Sequence, residues 1–105
     1  MRFIEITVFT KAIDELLNSN EYLALQVAML ARPTLGPVIR VTLGLRKMRW
    51  SRSGAGKRGG IRVIYFWDVT SETFYLLYAY AKSTRDSLTA AQLRKLSRLV
   101  SEEFQ

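Results

Sequence analysis

The amino-acid sequence predicts an α+β domain in which two helices precede the last three strands of a mainly antiparallel, twisted sheet and one helix follows them. Apolar residues recur at helical spacing in residues 9–31 and 88–104, and three strand-like segments lie in succession between these two regions. With a strand-like start, the predicted order is β-α-α-β-β-β-α. Because 105 residues suffice for one hydrophobic core, residues 1–105 are predicted to form a single domain.

The first third of the chain predicts one strand and a helix hairpin. Residues 2–8 alternate in type and are rich in β-branched side chains, which favours a strand. Residues 9–17 carry apolar side chains at the spacing of one helix face. Asn18 and Glu21 have the spacing of a helix N-cap, and the Arg-Pro pair at 32–33 ends the second helix because the residue before proline avoids the helical region.

The rest of the chain predicts three strands and the last helix. The strands are expected at residues 45–50, 61–69 and 73–82, the second being nearly all apolar, as in a central strand covered on both faces. The three residues between the second and third of these strands indicate a tight hairpin turn. Thr89 and Gln92 have the spacing of a capping box at the start of the final helix.

The net charge of +7 is concentrated in one segment. Residues 1–44 hold four basic and four acidic side chains, and residues 63–105 hold five of each. Residues 45–62 contain no acidic side chain and all seven remaining basic ones: Arg46, Lys47, Arg49, Arg52, Lys57, Arg58 and Arg62. Such a concentration indicates a surface for a polyanion or an acidic partner.

The spacing of the strands predicts where these charges meet. A symmetric turn between the last two strands places Arg62 across from about Tyr80, and a symmetric loop before residue 61 places Arg49 across from Arg62. These side chains are therefore expected at one end of three adjacent strands, with Lys82 as an alternative to Tyr80. Lys47 has the same parity as Arg49 and is expected on the same face.

Two further features surround the predicted cation cluster. The loop at residues 51–60 contains four glycines among basic side chains, so its backbone can approach a phosphate closely. Trp50 and Tyr80 are candidate stacking platforms for nucleic-acid bases. Most other aromatic side chains of the strands are expected in the core.

Composition restricts the chemistry and the location of the protein. The sequence contains no histidine and no cysteine, which leaves Lys, Arg, Tyr, Asp and Glu for any catalysis. No metal ion or cofactor is expected. No window approaches the roughly 18 consecutive apolar residues of a membrane span, and the N-terminus lacks the features of a signal peptide. We therefore expect a cytoplasmic protein with no membrane contact.

The strand segments and the last helix also resemble a known family. The segments LRKMRW, GGIRVIYFW and YLLYAYAKSTRDSLTAAQLRKL, the first two separated by the glycine-rich basic loop, resemble the RelE superfamily of bacterial type II toxins, and most closely its HigB-like branch. The resemblance covers about residues 3–99. It implies a twisted antiparallel sheet with two N-terminal helices and a C-terminal helix. It also implies a ribosome-dependent mRNA endonuclease that a cognate antitoxin holds inactive.

The same resemblance implies a set of site residues. Lys47 and Arg49 match catalytic positions before the loop, Arg62 matches the arginine after it, and Arg85 matches an arginine beyond the last strand. Lys57 and Arg58 match the insertion of the HigB-like branch. The sequence departs from some relatives that carry a tyrosine at the start of the final helix, where Leu88 and Thr89 stand here. Either a lysine or Tyr80 takes the acid–base role, or the catalytic groups differ in detail.

This site chemistry requires neither histidine nor metal. A base removes the proton of the RNA 2′-hydroxyl, which attacks the adjacent phosphate. Because neighbouring cations disfavour a protonated lysine, Lys47 or Lys57 is the candidate base. Arg62, with Arg49 or Arg85, is the candidate clamp on the phosphoryl oxygens. The remaining predicted RNA contacts are Arg46, Arg52, Arg58, Trp50, Tyr80 and Lys82.

Three alternatives remain open at the level of sequence. The first alternative is a ParE-like gyrase poison without nuclease activity, and the second is a non-enzymatic RNA-binding module. The third is a protein that acts only by binding its antitoxin or as a transcriptional co-repressor. Lys47, Arg49, Lys57 and Arg62 together favour the nuclease.

Overall fold

The computed structural model describes residues 1–51, 60–85 and 87–103. The elements are β1 (Arg2–Glu5), α1 (Thr7–Leu16), α2 (Ser19–Ala31), β2 (Arg46–Trp50), β3 (Ile61–Asp68), β4 (Thr73–Ala81) and α3 (Ala90–Glu103). This order confirms the predicted α+β arrangement. Within the described part of the chain, none of the helices is both long and apolar enough to cross a membrane.

The four strands form one mixed sheet in the order β1-β4-β3-β2. β2, β3 and β4 are antiparallel to one another, while β1 runs parallel to β4. A parallel neighbour needs a crossover connection, and most of the chain lies between β1 and β4. β3 has a strand on each side and its first five residues are buried, as predicted for a central strand.

The helices cover the two faces of this sheet. On the α1–α2 face, Phe9 and Ile13 of α1 and Leu25 and Met29 of α2 are buried in one cluster with alternate residues of β3 and β4. On the opposite face, the α3 face, a second cluster contains Val100 of α3 and the other alternate residues of these strands. The sheet is therefore the middle of three layers, and residue parity in a strand decides which cluster a side chain joins.

Both predicted helix-start signals are present. The Asn18 side chain accepts a hydrogen bond of 2.8 Å from the Glu21 N–H, and the Glu21 carboxylate accepts one of 2.9 Å from the Asn18 N–H. At α3, Thr89 and Gln92 form the same reciprocal pair at 2.8 and 3.1 Å. These contacts satisfy N–H groups that a helix leaves without partners.

The expectation that the first strand runs to residue 8 was wrong. The Ile6 N–H still bonds to the Leu76 carbonyl at 3.2 Å, but the Ile6 carbonyl already accepts from the Thr10 N–H at 3.1 Å. α1 therefore begins at Thr7, two residues before the predicted start. Val8 therefore lies in the first turn of α1 and is 56% exposed.

Tyr65 anchors the connection between α2 and β2. Its buried hydroxyl donates to the Pro33 carbonyl at 2.8 Å and accepts from the Gly36 N–H at 3.0 Å. A Cβ atom on Gly36 would lie 2.9 Å from the backbone of Lys47 and Met48. Only glycine therefore allows the two backbone segments to approach this closely. This close crossing fixes the position of β2, which carries part of the predicted site.

Glu5 ties β1 to both helices of the α1–α2 face. Its carboxylate accepts hydrogen bonds from the hydroxyls of Thr10 at 2.6 Å and Tyr22 at 2.5 Å. Burial, with the neighbouring Glu5 carboxylate, raises the pKa of Tyr22 above its ordinary value. Burial also raises the pKa of Tyr65, although its hydrogen bond from Gly36 acts in the opposite direction.

Candidate nucleic-acid interface

Arg49, Arg62 and Tyr80 form one row across three strands. Arg49 is the register partner of Arg62 in β2 and β3, and Arg62 is the partner of Tyr80 in β4. Both pairings confirm the prediction from strand spacing. Residues opposite one another in neighbouring strands present their side chains to the same face, which here is the α3 face.

A second row lies beside the first. Lys47 pairs with Ile64, and Ile64 pairs with Tyr78. Lys47 therefore shares the α3 face with Arg49 and Arg62, as its parity predicted. We call Lys47, Arg49, Arg62, Tyr78 and Tyr80 the α3-face cluster.

Arg62 is the most unusual member of this cluster. It is only 8% exposed, and its guanidinium donates a hydrogen bond of 3.2 Å to the carbonyl of the preceding Ile61. Among the described residues, no carboxylate lies within ion-pairing distance of it. A buried charge without a counter-charge is costly, and a nearby Arg49 adds repulsion. Within the described part of the chain, this is therefore a position where a bound anion would be favourable.

The segment after β4 carries two further cations, Lys82 and Arg85. The Lys82 N–H bonds to the Gly60 carbonyl at 3.1 Å, so this exposed lysine lies beside the start of β3. Arg85 is also exposed, and its guanidinium donates to Gln92 Oε1 at 3.3 Å. Because Gln92 belongs to the capping box of α3, Arg85 is tied to the start of that helix.

Two predicted RNA contacts lie on the other side of the sheet. Arg46 is half-buried, and its guanidinium donates to the Gly36 carbonyl at 2.8 Å, which holds it at the α2–β2 connection. Trp50 packs against the core of the α1–α2 face. The structure therefore does not bring Arg46 and Trp50 to the α3-face cluster. Arg52, Lys57 and Arg58 lie outside the described residues.

Sequence reasoning missed Tyr78, which it placed in the core. A register shift between Ile64 and Tyr65 inserts an extra residue in β4. As a result, both Leu77 and Tyr78 pack on the α3 face of the sheet, in or against its hydrophobic core. Tyr78 is partly exposed, whereas Tyr80 is 4% exposed. No local signal in the sequence marks this bulge.

The cluster offers cations and tyrosines and no metal ligands. Among the residues that the structure describes, no group of three or more acidic side chains is placed to hold a metal ion. What the arrangement can do chemically is bind an oxyanion with two guanidinium groups and place a lysine and a tyrosine beside it.

The arrangement of strands and helices defines a RelE-like α+β fold. No protein-family model matches the chain. Among solved structures, the chain is similar to the E. coli toxin RelE, determined in the free state as a double arginine-to-alanine mutant, with a TM-score of 0.53 and 16% identity. The match covers 91% of this chain and 92% of that one. At this identity the likeness establishes the fold, and it does not separate the HigB-like branch from other branches.

Proposed function

We propose that this protein is the toxin of a type II toxin–antitoxin system and that it cleaves mRNA on the ribosome. The observation that carries the proposal is the burial of Arg62 without a carboxylate partner among the described residues, in register with Arg49. A phosphodiester is the anion that such a pair fits, because each guanidinium presents a planar fork of donors to phosphoryl oxygens.

The proposed reaction needs three groups around that phosphate. A base takes the proton of the 2′-hydroxyl, the 2′-oxygen attacks phosphorus, and the bond from phosphorus to the 5′-oxygen breaks. The products are a 2′,3′-cyclic phosphate and a 5′-hydroxyl, which receives a proton from the acid. Arg62 and Arg49 stabilise the charge that develops on the phosphoryl oxygens.

Lys47 is the described residue best placed as the base. It lies on the same face as Arg62 and is its diagonal neighbour across the two strands. The Cα atoms of such neighbours are about 7–8 Å apart. Lys57 is the other candidate from the sequence. Arg85 is the candidate for a further contact to phosphate, and its hydrogen bond to Gln92 ties it to the start of α3.

Partners and location follow from this proposal. We infer that a cognate antitoxin protein blocks the activity, that the ribosome presents the mRNA, and that the protein acts in the cytoplasm. The excess of basic side chains in residues 45–62 supports a polyanionic target. A kinship with the HigB-like branch rests on the sequence resemblance.

The test is primer extension on mRNA translated with and without the protein. Wild type is expected to produce discrete cuts in phase with the reading frame, and Arg62→Ala is expected to lose them. Arg32→Ala is the matched control, because Arg32 is exposed at the end of α2. If folded Arg62→Ala still cuts, the catalytic model is wrong. DNA damage without translation arrest would indicate a gyrase poison, and salt-dependent RNA binding without cuts would indicate a binding module.

A further inference from the structure

A cavity of about 560 Å³ opens between α3, β4 and the start of α1. Its walls are mostly apolar and include Ile6, Val8 and Leu96, while Gln92 and Lys95 supply polar groups. Its volume is within the range of pockets that hold small organic groups, about 300–1,000 Å³. Tyr78 also lines it.

Tyr78 connects this cavity to the α3-face cluster. The Tyr78 ring stacks beside the Tyr80 ring with centroids 6.1 Å apart and an interplanar angle of 29°. Because Tyr80 pairs with Arg62, Tyr78 is the diagonal neighbour of Arg62, about 7–8 Å away between Cα atoms. One nucleotide is therefore long enough to place its base in the cavity while the neighbouring phosphate contacts Arg62.

We propose that this cavity binds an unstacked nucleobase of the RNA, next to the nucleotide whose phosphate Arg62 binds, and that Tyr78 is the stacking platform. The inference rests on the proposed function and names a base-binding subsite for it. A nucleobase has apolar faces and a polar edge, which matches apolar walls with Gln92 and Lys95 among them. The bulge in β4 is what turns Tyr78 towards this face.

The charge around the cavity also favours RNA. Among the described residues that line it, Lys95 and Arg98 are basic and Glu102 is acidic. A strand of RNA that leaves the cavity therefore meets a net positive rim. The competing occupant is an apolar side chain of a partner protein, which would gain nothing from a position beside Arg62.

Binding is tested with a short single-stranded RNA that contains 2-aminopurine and has a 2′-O-methyl group at the scissile position. Wild type is expected to quench the fluorescence, and Tyr78→Phe to bind within about twofold of wild type. Tyr78→Ala is expected to lose roughly 5- to 150-fold in affinity, the range for one stacked base. An unchanged affinity and quenching with Tyr78→Ala, or a wild type that binds no RNA, would overturn the inference.

Val8 allows the cavity itself to be blocked. Val8 is 56% exposed, so Val8→Trp fills the opening without disturbing the core, and Val8→Ala is the matched control. Val8→Trp is expected to abolish quenching, while Val8→Ala retains it. If Val8→Trp and Tyr78→Ala weaken binding of the cognate antitoxin and leave RNA stacking intact, the cavity is a protein-docking groove and the inference is wrong.

Cleavage maps separate this inference from the proposed function. If wild type cleaves mRNA, Tyr78→Ala is expected to change the base preference next to the cut, while Arg62→Ala is expected to remove the cuts. If wild type cuts and Tyr78→Ala leaves both the rate and the base preference unchanged, the subsite is wrong and the nuclease stands. If wild type makes no cuts but Tyr78-dependent quenching is observed, the proposed catalysis fails and the base subsite stands.

Discussion

Arg49 and Arg62 are register partners on one face of the sheet, with Arg49 exposed in the edge strand β2 and Arg62 buried in β3. Like charges directly opposite in neighbouring strands destabilise a sheet. The described part of the chain contains no carboxylate that compensates Arg62. The pairing therefore adds a repulsion that a bound phosphate would relieve.

The first prediction concerns this cost. Arg62→Met removes a buried charge while keeping an apolar stem of similar length, so it is expected to raise the free energy of unfolding by roughly 1 kcal/mol. Arg32→Met, at an exposed position, is expected to change it by less than about 0.5 kcal/mol. Urea unfolding followed by circular dichroism measures both. A loss of stability in Arg62→Met would show that Arg62 supports the fold.

Strand spacing predicted the Arg49–Arg62–Tyr80 row, but one of its pairings has a different cause from the one expected. A turn centred near residue 71 was expected to place Tyr80 opposite Arg62. In the structure the turn pairs Asp68 with Thr73, and this register alone would move the partner of Arg62 from Tyr80 to the preceding residue of β4. The extra residue of the bulge restores Tyr80 as the partner. The bulge lies within the pairing of β3 and β4, away from the turn, and no local pattern in the sequence marks it.

The other predictions depend on local patterns, and this includes the misplaced Arg46 and Trp50. The capping boxes and the apolar central strand are local signals, and the structure confirms them. Arg46 and Trp50 were grouped with Lys47 and Arg49 by charge and proximity along the chain. Alternation in β2 separates them onto opposite faces, because successive side chains of a strand point in opposite directions.

The second prediction tests the close crossing at Gly36. Gly36→Ala would place a Cβ 2.9 Å from the backbone of Lys47 and Met48, which must shift β2. We expect a loss of about 2 kcal/mol or more in the free energy of unfolding and a strong loss of mRNA cleavage.

Gly60→Ala is the matched control for this variant. A Cβ there would lie 3.4 Å from the Trp50 carbonyl oxygen and 3.5 Å from Arg62 Nη1, which are ordinary contacts. It is expected to fold with nearly unchanged stability. Thermal unfolding and primer extension measure both variants, and equal stability of the two would contradict the steric argument.

The third prediction concerns alkaline pH. The pKa of Tyr22 and of Tyr65 is raised in the folded protein, with burial as the first cause in each case. In the unfolded chain these phenols deprotonate near pH 10. Above that pH the folded state binds more protons than the unfolded state, so the stabilisation present below about pH 10 falls as pH rises.

Urea unfolding between pH 8 and pH 11 measures this effect. Tyr22→Phe is expected to be less stable at pH 8, since it loses the hydrogen bond to Glu5, but to show a shallower decline above pH 10. Tyr78→Phe is the control for a tyrosine on the other face. An identical pH dependence of wild type and Tyr22→Phe would contradict the assignment.

The fourth prediction decides between the two candidate bases. Lys47→Arg keeps the positive charge on the α3 face, so RNA affinity and its salt dependence are expected to stay within about twofold of wild type. Arginine does not give up a proton in proteins, so a general base at this position would be lost. We expect cleavage in the ribosome assay to fall by about 10²- to 10⁴-fold, the range for removal of a general base. Lys57→Arg is the parallel variant from the loop. Retention of full cleavage by Lys47→Arg with its loss in Lys57→Arg would assign the base to Lys57 and leave Lys47 as a phosphate contact.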